Sequence, residues 1–274
     1  MTEHQEFAGL HYCQRPLVLP NAWDVASALL LQEAGFAAVA TTSLGVNAAA
    51  GLADASGAGR DVALDLGRTL AGRLRVPVTV DVEGGYSDDP AAVAALAGQL
   101  ADAGVAGINR EDGLPGGALR PAGQQVAVIA AVVATVPGLF VNARTDTYWL
   151  RTTAPAQRLG ETLRRVEAYR DAGAHGVFVP GLTGRADTAA VAARAGVPLN
   201  VLWQPGVPLA DLADAGVARV STGSALYRAA LGAALRSAAE AREAPDQPPG
   251  PVSYDEVQRV LAAAPESARE DGRP

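Results

Sequence analysis

Along most of this chain, short runs rich in Val, Leu and Ile alternate with longer Ala- and Leu-rich stretches whose apolar positions recur at helical spacing. The short runs predict about eight strands: Leu17–Pro20, Ala37–Thr42, Pro77–Asp81, Gly107–Asn109, Leu139–Ala143, Gly176–Val179, Leu199–Leu202 and Ala218–Ser221. Between them the spacing predicts helices such as Trp23–Ala34, Asp61–Leu74, Ala91–Ala103 and Ala156–Ala172. Several helices run into a glycine just before the next strand, at Gly35, Gly104, Gly173 and Gly216. That is where a helix often needs a residue with positive φ. Strands alternating with helices predict a parallel sheet, and about eight such units predict closure into a (β/α)8 TIM-type barrel. A doubly wound open sheet is the other arrangement of the same units. No linker interrupts the pattern. Residues 1–245 read as one barrel with its C-terminal helix, and 246–274 as a Pro-rich extension with a short helix, Tyr254–Ala264, and a frayed tail, Pro265–Pro274.

Composition narrows the chemistry. The length of 274 residues suits one α/β barrel. The formal net charge is −7 and no basic cluster occurs, which argues against a nucleic-acid partner. All 22 basic residues are Arg. Without lysine there is no Schiff base to a substrate or to pyridoxal phosphate. The single cysteine, Cys13, allows no intrachain disulfide and fits a reducing cytoplasm. His4, His11 and His175 lie too far apart in sequence to suggest a zinc site. Residues 1–16 carry Glu3, His4, Glu6 and His11 and so lack a signal-peptide core; the apolar runs elsewhere are too short to cross a bilayer.

In a parallel barrel the active site forms at the C-terminal ends of the strands. Here those ends are polar: Asn21-Ala22-Trp23-Asp24, Thr41-Thr42-Ser43, Asp81-Val82-Glu83, Asn109-Arg110-Glu111-Asp112, Asn142-Ala143-Arg144-Thr145-Asp146, Asn200 and Ser221-Thr222. Helix caps would also place Asp and Ser there. Asp81, Glu83 and Glu111 offer carboxylate oxygens without a nearby His or Cys, a donor set suited to Mg2+ or Mn2+; a solvated acidic loop is the alternative. Arg144 follows an apolar run, and a buried Arg must be paired. Its partner is either a protein acid, Asp146 or Glu111, or a substrate carboxylate. Thr42 and Ser43 offer hydroxyl and backbone donors to an oxyanion. The loop Gly113–Arg120 is Gly-rich but lacks the phosphate-loop lysine; it reads as a mobile lid or an inert turn. Trp23, Tyr86, Trp149 and Trp203 are candidates to set the pocket's size. The helix Ala225–Ala241 carries Leu226, Leu231 and Leu235 as an apolar stripe able to pack on a second subunit.

Taken together, PNAWDVASALLLQEAGFAAVATTS (Pro20–Ser43), GLADA (Gly51–Ala55), VPVTVDVEGGYSDDP (Val76–Pro90), GVAGINREDG (Gly104–Gly113), NARTD (Asn142–Asp146), GAHGVFVPGL (Gly173–Leu182) and PLNVLWQPG (Pro198–Gly206) resemble the isocitrate lyase/phosphoenolpyruvate mutase family. The resemblance spans roughly Leu19 to Leu231. It implies a (β/α)8 barrel with Mg2+ held at Asp81 largely through waters, supported by Asp54, Glu83 and Glu111. It implies that Thr42, Ser43 and the Leu44 amide cradle one end of the substrate and that Arg144 meets a carboxylate. It also implies a homotetramer whose C-terminal helices are exchanged between subunits. One departure stands out: the Lys-Arg-Cys-Gly-His segment of the cysteine lyases is absent, since Gly113–Arg120 holds neither Cys nor His. The Lys- and Asn-bearing segment of the phosphonomutases is absent too.

The expectation is therefore a Mg2+-dependent C–C lyase or decarboxylase for a small 2-oxo or dicarboxylic acid. Asp54, Glu111 and Arg144 are the expected catalytic groups. Trp23, Thr42, Ser43, Leu44, Asp81, Arg144 and Asn200 are the expected substrate contacts, and Tyr86 or a metal-bound water is the candidate proton donor. The alternatives are an oxaloacetate-type C–C hydrolase and a barrel that only binds a 2-oxo acid such as 2-oxoglutarate.

Overall fold

A computed structural model describes residues 3–150, 153–243 and 250–263. The tail read at 265–274, and 244–249 of the Pro-rich stretch, lie outside the described residues. The strands are β1 Leu17–Leu19, β2 Asn21–Ala22, β3 Val39–Thr41, β4 Val78–Asp81, β5 Gly107–Glu111, β6 Phe140–Arg144, β7 Gly176–Phe178, β8 Leu199–Leu202 and β9 Val217–Ser221. All pair in parallel, in the order β1-β9-β8-β7-β6-β5-β4-β3-β2. The two ends of that order, β1 and β2, are separated only by Pro20. Proline has no N–H for a ladder, so the first stave is split there. Its first half pairs with β9 and its second with β3, and the barrel closes through the break.

Around the barrel lie α2 Val25–Glu33, α3 Ser43–Ala49, α4 Arg60–Ala71, α5 Pro90–Asp102, α6 Ala122–Thr135, α7 Pro155–Asp171, α8 Arg185–Ala195, α9 Leu209–Asp214 and α10 Ala225–Ala241. Helix α2 starts two residues later than its spacing predicts. Asp24 accepts from the Ser27 amide at 2.7 Å and Ser27 Oγ accepts from the Asp24 amide at 3.2 Å, a capping box that fixes the start. The four glycines expected to end helices have φ between 83° and 97°. Strand β5 runs on to Glu111, past the predicted Asn109, because Arg110 and Glu111 pair with Ala143 and Arg144 of β6.

The pleat of β5 and β6 organises the barrel interior. Alternate residues share a face, so the register stacks Gly107 beside Phe140, Asn109 beside Asn142, and Glu111 beside Arg144. The lowest layer is apolar. A short helix, α1 Glu3–Gly9, brings Phe7 to 5.4 Å from Phe140, and His11 stacks on Phe140 at 4.3 Å. A Cβ on Gly107 would lie 2.8 Å from the Phe140 carbonyl, which is why this layer accepts only glycine there. The middle layer is polar. Asn142 donates to Asn109 at 2.8 Å, buried Arg219 donates to Asn109 and Ser221, and Ser221 donates to Asn200. The top layer is charged and opens into the site.

The helix predicted at Tyr254–Ala264 is present as α11 Tyr254–Ala263. It lies over the mouth of its own barrel, where Val257 packs with Leu44 and Tyr227. The preceding segment reaches it along α10: Arg236 and Arg228 donate to the Gly250 and Val252 carbonyls at 3.1 Å each. Leu231 joins the same intrachain cluster, whereas Leu235 is 49% exposed.

Candidate active site

Asp81 ends β4 and is buried among short links to its neighbours. Its amide donates to Thr41 Oγ1 at 2.9 Å, and its carboxylate accepts from the Ser43 amide at 3.4 Å and the Glu83 amide at 3.2 Å. Burial raises its pKa, Arg144 opposes that, and Asp54 adds to it. Glu83 has φ +49° and Tyr86 φ +58°, flanking Gly84-Gly85 in a left-handed turn. Such conformations cost non-glycine residues roughly 1–3 kcal/mol and cluster at working sites. Glu83 accepts from Asn47 at 2.7 Å, and burial pushes its carboxyl up to about 7.

Glu111 and Arg144 close the top layer with an ion pair of 2.7 Å, and Arg144 Nε lies 2.6 Å from Asp146. Both protein acids considered for Arg144 therefore hold it. Burial raises the Glu111 pKa, with Arg144 pulling against it. The guanidinium stays protonated: burial opposes its charge, but Asp146, Glu111 and Asp81 outweigh it. A second set of buried groups fixes Asp146. Asp112 accepts from the Asp146 amide at 2.8 Å, from Arg165 at 2.9 Å and from the Tyr169 hydroxyl at 2.6 Å. Helix α7 thus sets Arg144 through two intervening acids.

Two cavities adjoin at the mouth, on either side of the Glu111–Arg144 pair. One, of about 150 Å3, is lined by Thr42, Ser43, Leu44, Asp54, Asp81 and Arg144, with Asn21 at its floor and Trp149, Trp203 and Tyr254 around its rim. The other, of about 260 Å3, lies beneath the Gly113–Arg120 loop and is lined by Glu83, Tyr86, Glu111 and Arg120. An ion pair from Arg120 to Asp88 ties that loop down.

Most expected residues converge here, but Trp23 and Asn200 do not line the cavity. Trp23 packs edge-on to Tyr227 at 5.4 Å, and Asn200 lies buried beneath Ser221. Asn47 and Tyr254 were not singled out by the sequence, whereas Asn21 and Asp112 stood among the polar strand ends without an assigned role. Asn21 had a signal, since it ends a strand run; its side-chain Oδ1 accepts from the Gly223 amide at 2.9 Å.

The acids fit a hydrated divalent cation. Among the described residues no three His, Cys or acidic groups converge as a ready ligand cluster. Mg2+ needs only one or two carboxylates and keeps several waters. The charge of Asp81 raises the proton affinity of Glu83 and Glu111, that of Asp54 raises all three, and one oxygen of Asp54, Oδ1, is buried with no partner.

The family model described as phosphoenolpyruvate phosphomutase matches residues 7–242. An uncharacterized protein of Mycobacterium tuberculosis is 44% identical over 255 residues, covering 93% of this chain and 95% of that one. The 2-methylisocitrate lyase of Bacillus subtilis is 31% identical over 192 residues, covering 67% of this chain and 61% of its own. The crystal structure of 2,3-dimethylmalate lyase, a member of the phosphoenolpyruvate mutase/isocitrate lyase superfamily, superposes with a TM-score of 0.77 at 25% identity over 96% of both chains.

Proposed function

The chain belongs to the phosphoenolpyruvate phosphomutase family, and from that premise we propose that it is a C–C lyase for a small 2-oxo or dicarboxylic acid, dependent on Mg2+ or Mn2+. The observation that carries this reading is Arg144, held between Glu111 and Asp146 and presented to the same cavity as Asp81. A preset guanidinium binds a carboxylate at low reorganisation cost. The lyases among the relatives support the reaction class.

Asp81, with Glu83 and Glu111 behind it, would hold the cation, whose Lewis acidity supplies polarisation of the substrate's oxygens. This chain's own groups do the rest. Arg144 fixes the carboxylate. The Leu44 amide and the Thr42 and Ser43 hydroxyls surround the opposite end, where negative charge grows as the C–C bond breaks. From a 2-hydroxy acid the hydroxyl gives its proton to a cavity carboxylate and becomes the carbonyl of the released 2-oxo acid, while the electron pair of the C–C bond goes to the other fragment as the enolate of its carboxylate. From a 2-oxo acid such as oxaloacetate CO2 leaves and the pair stays on the oxo-acid fragment as its enolate. Tyr86, which lines the adjoining cavity across the Glu111–Arg144 pair, supplies through an intervening water the proton that the enolate carbon takes, and regains one from solvent. Burial pushes its pKa up, so it stays protonated through the neutral range.

The test is turnover of oxaloacetate, 2-methylisocitrate and 2,3-dimethylmalate with Mg2+ and after EDTA, with oxalate, a planar enolate mimic, as binding probe. Formation of a 2-oxo acid only with metal is expected. Full activity in metal-free protein overturns the metal requirement. Tight oxalate binding without turnover of any of these acids makes the chain a binding protein.

A further inference from the structure

Asp54 is the one acid of the cavity that no strand carries; it sits on the loop between α3 and α4. All its hydrogen bonds among the described residues come from α11, 200 residues further along the chain. The Gln258 side chain accepts from the Asp54 amide at 3.0 Å and donates to its carbonyl at 3.2 Å. The Tyr254 hydroxyl donates to Asp54 Oδ2 at 2.7 Å. The Tyr254 ring stands edge-on to Trp149 at 5.7 Å, and both rings line the cavity above Asp81 and Arg144. The other oxygen, Oδ1, is buried and unpaired. A buried acceptor left unsatisfied is costly, and native proteins rarely keep one without a use. Two hydrogen bonds therefore fix the Asp54 backbone and a third its carboxylate, so that one oxygen is spent on the protein and the other is left over.

We propose that α11 is part of the active site, with Tyr254 and Gln258 as positioning residues that aim Asp54 Oδ1 into the cavity to accept from an O–H group, either a water on the bound cation or a substrate hydroxyl. This rests on the lyase reading given above. The helix has its own anchor, because Val257 and Leu261 pack with Leu44 and Tyr227. Losing the Tyr254 hydroxyl thus loosens Asp54 without detaching the helix.

The experiment uses the full chain carrying Tyr254→Phe, Gln258→Leu, Asp54→Ala, and Tyr254→Phe with Asp54→Ala. Each is titrated with Mn2+, alone and with oxalate, and with the hydroxyl-bearing 2,3-dimethylmalate; melting and amide exchange over residues 51–58 are measured alongside. Tyr254→Phe should weaken Mn2+ binding, or dimethylmalate binding alone, by roughly 10-fold or more, the usual effect of removing an outer partner of a metal site. A loss with Mn2+ identifies the metal water as the donor, and a loss confined to dimethylmalate identifies the substrate hydroxyl. In the Asp54→Ala background the same change should add nothing. Parent-like binding by Tyr254→Phe, or an undiminished effect without the Asp54 side chain, overturns the proposal. If Tyr254→Phe does not fold, Gln258→Leu is read by the same criteria. If the parent binds neither Mn2+ nor either acid, the lyase reading fails. In that event faster exchange at 51–58 in Tyr254→Phe upholds the positioning, and unchanged exchange overturns it.

Discussion

A guanidinium clamped between two carboxylates is oriented before any ligand arrives, and Arg144 owes its usefulness and its fragility to that arrangement. Arg144→Met would strand Glu111 and Asp146 as buried unpaired acids, at a cost of about 3–5 kcal/mol. It should melt far below the parent. Arg144→Lys keeps the charge but loses the fork. It should melt closer to the parent yet bind oxalate about 10- to 150-fold more weakly, the equivalent of one charged hydrogen bond of roughly 1.5–3 kcal/mol; parent-like affinity by calorimetry would remove Arg144 from carboxylate recognition. Tyr86→Phe should lower kcat by about 100-fold or more with KM nearly unchanged, as for loss of a general acid; an unaltered kcat rules the phenol out as donor. His11 makes a prediction at the other end of the barrel. Burial first, and Arg219 second, lower its pKa from 6.5 to about 3. The unfolded chain therefore binds the extra proton first. The stabilisation from a neutral His11 is complete above about pH 6.5 and fades as pH falls toward 3. Relative to His11→Phe, which keeps a ring on Phe140, the parent should lose melting temperature across that window; parallel curves would refute this.

Elements turn these residues into a site, and they differ in how far the sequence displays them. The strands and most helices were legible because apolar spacing and terminal glycines carry them directly. The ends were less so: Arg110 and Glu111 look like loop residues by their charge, yet β6 pairs with both. Asp81, Glu83, Glu111 and Arg144 were legible because barrel strands end at one mouth. Trp23 was misplaced because its neighbour Asp24 caps α2 and the ring turns to Tyr227. The link from Asp112 to Arg165 and Tyr169 was invisible, since nothing in local spacing joins β5 to a turn of α7. That trio gives a prediction at this scale. Tyr169→Phe leaves Asp112 short of one partner and should lower stability by about 1–3 kcal/mol in denaturant melts. The shift reaches Arg144 only through Asp146, so oxalate affinity should fall less than in Arg144→Lys. Gly113 is a second case: a Cβ there would lie 2.5 Å from Asp146 Oδ2. Gly113→Ala should disturb the Arg144 clamp from the loop side.

At the scale of the molecule, the family resemblance leads us to expect a tetramer, and Leu235 on α10 and Val260 on α11, each 49% exposed, offer apolar surface for it. Light scattering at micromolar concentration should report that assembly, and Leu235→Glu with Val260→Glu should shift it toward smaller species; a monomeric parent would refute the expectation. Among the described residues no helix is long and apolar enough to cross a membrane. The path of the chain also has a bearing on time. Stave one waits for β9, some 200 residues later, before the cylinder shuts, and α11 comes later still. On the ribosome, which releases its product from the N-terminus onward, the floor of the pocket is therefore made early and its canopy well after it. A nascent chain halted after Glu243 would own every described strand and every strand-borne acid yet lack Tyr254 and Gln258, so full affinity for ligand should arrive only once synthesis has passed Gln258.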